Sequence, residues 1–186
     1  MTTIRRREAI KLLGGAVFAA ATVGVVDKAA ALELGKPAPD FTLPSASSET
    51  ISLKQYRGQK IVLVEFFGSA SAPTCMSNVK VRGADTQKFT DLNVQIIAIS
   101  ADSPFALKTY ADSVKIQFPL LSDQGLQTIR RYEVLAPDNV RALRAFFLID
   151  EQGMLRKQWL LGLAGDDIVF ASAPIIAAVQ ELKTKR

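Results

Sequence analysis

Three apolar runs with the composition of buried β-strands constrain the fold of this 186-residue chain more than any other feature. Residues 61–67 read Ile-Val-Leu-Val-Glu-Phe-Phe, and residues 94–100 read Val-Gln-Ile-Ile-Ala-Ile-Ser. Residues 144–150 and 154–160 flank a turn at Gly153, which is the pattern of a β-hairpin. Nearly unbroken runs of this kind are typical of strands that are covered on both faces. The sequence therefore predicts an α/β protein built on a central sheet.

The segments between the first two runs and beyond them carry helical signals. A polar and apolar stretch over residues 75–92 predicts one helix, and residues 103–113 predict the next. Ser103 is a suitable N-cap ahead of Pro104 at the first helical position. Because strand and helix alternate here, we expect these strands to pair in parallel.

The two ends of the domain have weaker patterns. Residues 34–43 contain two prolines and predict an extended arm that enters a short strand, with residues 50–53 as its hairpin partner. A short helix is predicted over 124–132. A final helix is predicted over 167–183, where Pro174 is expected to introduce a kink near the start.

The first 31 residues resemble a twin-arginine export signal. The arginines at 5–7 and Lys11 precede an uncharged run over 12–26, and Ala29 to Ala31 offer small residues for a signal peptidase. We predict an export signal over 1–31 and a single domain over 32–186, which is located in the periplasm. An uncleaved anchoring helix is the alternative, and it would retain the domain at the membrane outside the cytoplasm.

The net charge of +5 comes mostly from this signal. Residues 1–31 hold five of the 23 basic and two of the 18 acidic residues, so the remaining chain has a charge of about +2. This value is ordinary, and we predict no nucleic-acid partner. Arg130, Arg131 and Arg141 are interpreted as part of a solvated basic face.

Cys75 is the only cysteine in the chain, and the chain has no histidine. An intramolecular disulfide is therefore excluded, and any redox cycle requires a thiol from a second molecule. The lack of histidine excludes Cys–His and Ser–His catalysis and the commonest zinc and haem ligands. We predict neither a metal nor a cofactor.

Four segments together resemble the redoxin group of the thioredoxin superfamily, and the resemblance covers residues 34–183. They are the arm at 35–43, the turn at 53–60, the loop before Cys75 and the strand at 144–150. The resemblance implies a thioredoxin-like α/β fold, with a central mixed sheet flanked by helices and an N-terminal β-hairpin extension. The group includes peroxiredoxins and exported disulfide reductases.

Two positions favour the peroxiredoxin branch. A disulfide reductase requires the pattern Cys-x-x-Cys, but residues 72–75 read Ala-Pro-Thr-Cys and lack the attacking thiol. Arg144 stands where the reductases have a proline and where peroxiredoxins have an arginine. The resemblance implies that Cys75 attacks a hydroperoxide as a thiolate, that Arg144 activates it, and that an external thiol is the reductant. It also allows a homodimer.

The cysteine loop departs from the family pattern. Gly68 and Ala72 stand where the family has a proline and a threonine or serine, respectively. We expect Ser71 or Thr74 to supply the missing peroxide-binding hydroxyl, although small polar residues before a helix also act as caps.

Other interpretations of the two main residues stay open at this stage. Cys75 is also compatible with an inert core residue, and Arg144 with an ion pair to Asp150 or Glu151. A thioredoxin-like partner-binding module and a carrier that exchanges mixed disulfides without meeting peroxide are the alternatives to a peroxidase.

Overall fold

The computed structural model describes residues 32–162 and 169–184, apart from the side chain of Thr74. The predicted export signal over 1–31 lies outside the described residues, as does the segment 163–168. Within the described residues, no helix combines the length and the apolar content that crossing a membrane requires.

Short antiparallel strands open the domain, and alternating strands and helices follow. In chain order the elements are β1 (Thr42–Pro44), β2 (Thr50–Ser52), a 3-10 helix (Leu53–Tyr56), β3 (Ile61–Phe66), α1 (Pro73–Ala84), α2 (Thr86–Asp91), β4 (Val94–Ser100), α3 (Pro104–Val114), β5 (Leu120–Ser122), α4 (Gln127–Arg131), β6 (Arg144–Ile149), β7 (Leu155–Gly162) and α5 (Ala173–Thr184).

The larger sheet has the strand order β5-β4-β3-β6-β7. Strands β3, β4 and β5 are parallel, whereas β6 is antiparallel to β3 and β7 is antiparallel to β6. Strands β1 and β2 form a separate antiparallel pair. The predicted mixed sheet, its parallel first half, the hairpin of β6 and β7 and the N-terminal hairpin are all confirmed.

The sheet buries both of its faces, which explains the unbroken apolar runs. Alternate residues of β3 face opposite sides: Val62 and Val64 pack in one apolar cluster, and Ile61 and Leu63 pack in the other. The second cluster lies under α1 and includes Cys75. A strand with helices or loops on both faces has no solvated side, so the polar and apolar alternation of an exposed strand is absent.

The single helix predicted over 75–92 is wrong, because the structure divides it at Asp85 into α1 and α2. Gly83, near the end of α1, lies close to another segment: a Cβ built there would lie 2.8 Å from Cδ1 of Ile116, which would have to shift. A helical glycine weakens the helix it sits in. The hydroxyl of Thr86 donates to the carbonyl of Arg82 and so competes with the backbone where the two helices meet.

Of the remaining helices, α3 starts where it was predicted, whereas α4 and α5 start later than expected. Helix α3 begins after Ser103, whose hydroxyl accepts the N–H of Ala106, so that N-cap is confirmed. Helix α4 is confined to Gln127–Arg131. Helix α5 begins at Ala173, and Pro174 occupies its first turn, where no backbone donor is needed. The kink expected at Pro174 is therefore wrong.

Candidate active site

Cys75 lies in the first turn of α1, at the edge of the sheet where β3 and β4 end. Its side chain is 2% exposed. A Cβ built at Gly68, two residues after β3, would lie 3.6 Å from the Cys75 Sγ, so the thiol sits directly behind the start of the cysteine loop (residues 68–72). The N–H groups of a first helical turn lack helical partners and carry partial positive charge, which favours an anion at this point.

The structure brings Arg144 to the same edge and the same face of the sheet. Arg144 is the first residue of β6, and the next residue, Ala145, pairs with Phe66 at the end of β3. The alternation along β6 places Arg144 on the side of Phe146, which packs in the cluster that contains Cys75. Arg144 is 4% exposed, so its guanidinium is a buried cation at the cysteine end of the sheet.

The structure does not support one alternative interpretation of Arg144, an ion pair with Asp150. Asp150 follows the opposite end of β6, and its carboxylate accepts Nε of Arg156 at 2.6 Å and the N–H of Met154 at 2.8 Å. That carboxylate therefore stabilises the hairpin turn of β6 and β7.

Asp102, just after β4, holds the cysteine loop. Its carboxylate accepts the N–H of Ala70 at 2.7 Å and the hydroxyl of Ser69 at 3.2 Å. The same carboxylate accepts the hydroxyl of Ser100 at 2.8 Å. A hydrogen-bonded anchor thus shapes a loop in which the usual proline of the family is replaced by Gly68.

The two predicted peroxide-binding residues remain predictions. Ser71 is exposed, and its hydroxyl lies 2.9 Å from that of Ser69. It lines an open groove of about 410 Å³ beside Met76, the residue that follows Cys75. Thr74 is the second residue of α1, and its side chain is outside the part of the chain that the structure describes.

Arg141 is exposed, as the predicted basic face requires, but it also lies near the thiol. Its Cδ lies 3.7 Å from a Cβ built at Gly68, and the Cys75 Sγ lies 3.6 Å from the same point. Arg141 therefore belongs to the surroundings of the thiol, whereas Arg130 and Arg131 are exposed on α4 as expected. No local sequence signal separates the three arginines, because the proximity arises from chain segments more than 60 residues apart.

A buried ion pair under α1 was missed by the sequence analysis. The carboxylate of Glu65 on β3 lies 3.9 Å from Nε of Arg82, and both side chains are almost fully buried. Burial raises the pKa of Glu65 to about 7, and the positive charge of Arg82 opposes that rise. Glu65 is the lone acid in an apolar strand, which is the signal that could have revealed it.

The polar groups of α1 also hold the segment that precedes α5. Arg82 donates to the hydroxyl of Ser172 at 2.8 Å and to the carbonyl of Phe170, and Asn78 accepts the N–H of Phe170 at 2.7 Å. The guanidinium of Arg82 lies 5.3 Å from the ring centroid of Phe146. These contacts fix α1 against the sheet two turns beyond Cys75.

This fold, with a single cysteine and a buried arginine at one edge of the sheet, is that of a peroxiredoxin-like protein of the thioredoxin superfamily. Residues 34–158 match the profile of the AhpC/TSA family. The chain belongs to that family, and the predicted thioredoxin-like fold and family resemblance are confirmed.

Relatives from both redoxin branches are similar to this chain. Peroxiredoxin-1 of Gallus gallus is 33% identical over 135 residues, which cover 67% of each protein. The thiol-disulfide oxidoreductase ResA of Bacillus cereus is 31% identical over 143 residues, which cover 76% of this chain and 78% of ResA. The crystal structure of reduced 2-Cys peroxiredoxin of Plasmodium vivax matches with a TM-score of 0.75 at 26% identity, over 82% of this chain and 83% of that one.

Proposed function

We propose that this protein is a one-cysteine thiol peroxidase that reduces hydroperoxides through Cys75. The observation that carries the proposal is the placement of Cys75 and the buried Arg144 at one edge and on one face of the sheet. Membership of the AhpC/TSA family supports the same reaction. Only the thiolate is nucleophilic enough for this chemistry, so groups that favour the anion are essential.

In the first half-reaction, the Cys75 thiolate attacks the terminal oxygen of the hydroperoxide. The S–O bond forms as the O–O bond breaks, the sulfur is oxidised to a sulfenic acid, and the departing alkoxide or hydroxide takes a proton to leave as alcohol or water. The helix start and the Arg144 guanidinium provide positive charge for the sulfur anion and for the oxygen that becomes negative.

The second half-reaction requires an external thiol, because the chain has no other cysteine. The first thiol condenses with the sulfenic acid, releases water and leaves a mixed disulfide on Cys75. A second thiolate attacks that disulfide and restores the Cys75 thiolate. One hydroperoxide and two thiols thus become one alcohol, one water and one disulfide.

The proposal is tested by the mass of the purified protein after brief exposure to one equivalent of hydrogen peroxide with a sulfenic-acid trap. We expect one trapped adduct on Cys75, and we expect Arg144→Ala to slow its formation by about 10²–10³-fold. Arg156→Gln, which removes an arginine at the other end of the hairpin, is the control and should leave the rate unchanged. Slow oxidation that is equal in all three proteins contradicts the proposal and favours a partner-binding module.

We also propose that the protein is exported by the twin-arginine route and acts in the periplasm after cleavage following Ala31. The arginines at 5–7, the uncharged run at 12–26 and the small residues at 29–31 support this. The N-terminal sequence of protein recovered from periplasmic and membrane fractions tests it. A chain that begins at Leu32 in the periplasm is expected, and an intact chain in the cytoplasm contradicts the proposal. Sedimentation of the mature protein tests the homodimer.

A further inference from the structure

The segment from Leu135 to Ala142 forms a small hairpin loop, which we call the 135–142 loop. Its two ends form an antiparallel bridge. At its tip, one carboxylate oxygen of Asp138 accepts the N–H of Val140 at 3.1 Å. The other oxygen lies 2.6 Å from Nε of Arg141. The same carboxylate therefore shapes the turn and directs the Arg141 side chain.

The 135–142 loop places Arg141 beside the thiol. A Cβ built at Gly68 would lie 3.4 Å from the carbonyl oxygen of Ala142, 3.6 Å from the Cys75 Sγ and 3.7 Å from the Arg141 Cδ. These are ordinary contact distances, so the missing side chain of Gly68 leaves a niche of about the size of a methyl group. The thiol and the arginine stem form two sides of this niche.

The niche lies at the solvent side of the thiol. Cys75 and Ala142 are buried, whereas Gly68 is partly exposed and the Arg141 side chain is 47% exposed. A reactant that approaches the sulfur past Gly68 therefore meets Arg141 first. Arg144 differs in this respect, because it is buried at the start of β6.

The ion pair with Asp138 leaves the guanidinium of Arg141 able to bind an anion. Asp138 engages Nε, so among the described residues the two terminal nitrogens remain as donors on a half-exposed side chain. A guanidinium presents paired donors that match the two oxygens of a carboxylate. The sulfur and the arginine stem share one small niche, so a carboxylate bound by Arg141 would be only a few bonds from an atom that reacts with Cys75.

We propose that Arg141 is a specificity-determining residue that binds the carboxylate of a small reactant whose reactive oxygen or sulfur meets Cys75. The inference rests on the proposed peroxidase function. Two kinds of reactant could carry this carboxylate, namely a hydroperoxide and the reducing thiol. Arg141 acts only through non-covalent binding, so the atoms and electrons of the two half-reactions balance as they do without it.

The two sources are distinguished by measuring each half-reaction separately. The oxidation arm compares a short-chain hydroperoxide that carries a carboxylic acid with its methyl ester. The reduction arm starts from protein oxidised to the sulfenic acid and compares 3-mercaptopropionate with its amide, after correction of each rate for the thiolate fraction. The proteins are the wild type, Arg141→Gln and Arg156→Gln.

The control removes an arginine of similar exposure from the far end of the hairpin of β6 and β7, where its partner Asp150 is buried and also held by the N–H of Met154. Nε of Arg156 also lies 2.6 Å from an aspartate oxygen, and its side chain is 41% exposed. In one of the two arms, we expect the wild type to react about tenfold faster with the carboxylate reactant than with its neutral ester or amide. Arg141→Gln should lose that preference and keep its rate with the neutral reactant, whereas Arg156→Gln should retain the preference.

A second variant tests whether the position of Arg141, and not only its positive charge, produces the preference for the carboxylate. Asp138→Asn keeps Arg141 but removes the charged partner that directs it, so the preference should fall by a smaller factor than in Arg141→Gln. Equal rates for charged and neutral reactants in both wild-type arms overturn the inference and leave the peroxidase intact. Equal losses in Arg141→Gln and Arg156→Gln also overturn it. If the wild type forms no sulfenic acid with either hydroperoxide, the proposed function itself fails.

Discussion

The two ends of α1 are held in opposite ways. At the start, the N-cap residue Ala72 makes no side-chain cap hydrogen bond, and the preceding loop is held through Asp102. Two turns beyond Cys75, Arg82 is fully buried and contacts β3, the ring of Phe146 and the segment before α5. The far end fixes the helix, so the near end can use its polar groups for chemistry.

The two ends of α1 also differ in how much substitutions there should change the free energy of unfolding. A buried charge that loses its partner destabilises a protein by about 3–5 kcal/mol, because the remaining charge stays out of water. Hydrogen bonds in a partly exposed loop contribute about 1 kcal/mol each. We therefore expect changes at the far end of α1 to act on folding, and changes at the cysteine end to act mainly on reactivity.

The largest expected effect is loss of the nucleophile. Cys75→Ser should lower the peroxidase rate by more than about 10³-fold, because a hydroxyl at this position does not form the anion that attacks peroxide. The free energy of unfolding should change by only about 1 kcal/mol, as for a small buried substitution. Coupled peroxide consumption and urea unfolding measure the two quantities. A Cys75→Ser variant that keeps its activity would show that the cysteine end of α1 does not carry the reaction.

The next effect is on stability alone. At pH 8, Arg82→Met should destabilise the protein by about 3–5 kcal/mol, because Glu65 must then stay charged without its cation or take up a proton. Adding Glu65→Leu should recover much of this loss, since an apolar pair replaces the ion pair. Lys80→Met, at an exposed position of the same helix, is the control and should lie within about 0.5 kcal/mol of wild type. Urea unfolding measures all four proteins, and a loss in Lys80→Met equal to that in Arg82→Met would show that the ion pair is not the cause.

The pH dependence of stability should also originate at the far end. Glu65 has an ordinary pKa of 4.5 when unfolded and a pKa of about 7 in the folded protein, because burial disfavours its charge. Between these values the unfolded state binds fewer protons, so the stability that Glu65 contributes is greatest below pH 4.5, falls towards pH 7 and then levels off. Burial and the charge of Glu65 raise the pKa of Tyr110, so this phenol stays neutral throughout.

This fall is on the order of 3 kcal/mol and should disappear in Glu65→Gln. Urea unfolding of both proteins at pH 5 and pH 8 measures the difference. Parallel pH profiles for the two proteins would assign the dependence to other groups.

The smallest effect concerns the anchor of the cysteine loop. Asp102→Ala removes the acceptor for Ala70 and Ser69, so we expect a loss of about 1–2 kcal/mol in stability. Sulfenic-acid formation should slow about tenfold, because a displaced loop misplaces the thiol. Asp112→Ala, on the exposed face of α3 in an ion pair with Lys108, should change neither quantity. An Asp102→Ala variant with an unchanged trapping rate would show that the loop does not position Cys75.

The sequence predicted those parts of the fold that depend on local or periodic signals. The strands β3, β4, β6 and β7 follow from apolar runs and a glycine turn, and the start of α3 follows from Ser103 ahead of a proline. Cys75 and Arg144 were identified as candidate site residues only through a family resemblance. The break between α1 and α2 at Asp85 was missed, because an isolated glycine such as Gly83 is only a weak signal inside a helical pattern.

Taken by itself, the sequence determined that the chain forms an α/β fold, that it has a single thiol and that any redox cycle at this thiol needs a thiol from a second molecule. Only the tertiary structure decided what surrounds that thiol. It selected Arg141 from three similar arginines, paired Glu65 with Arg82 and placed Asp102 under the loop. The physical reason is that strand and helix patterns arise from neighbouring residues, whereas these contacts depend on how distant segments pack across the sheet.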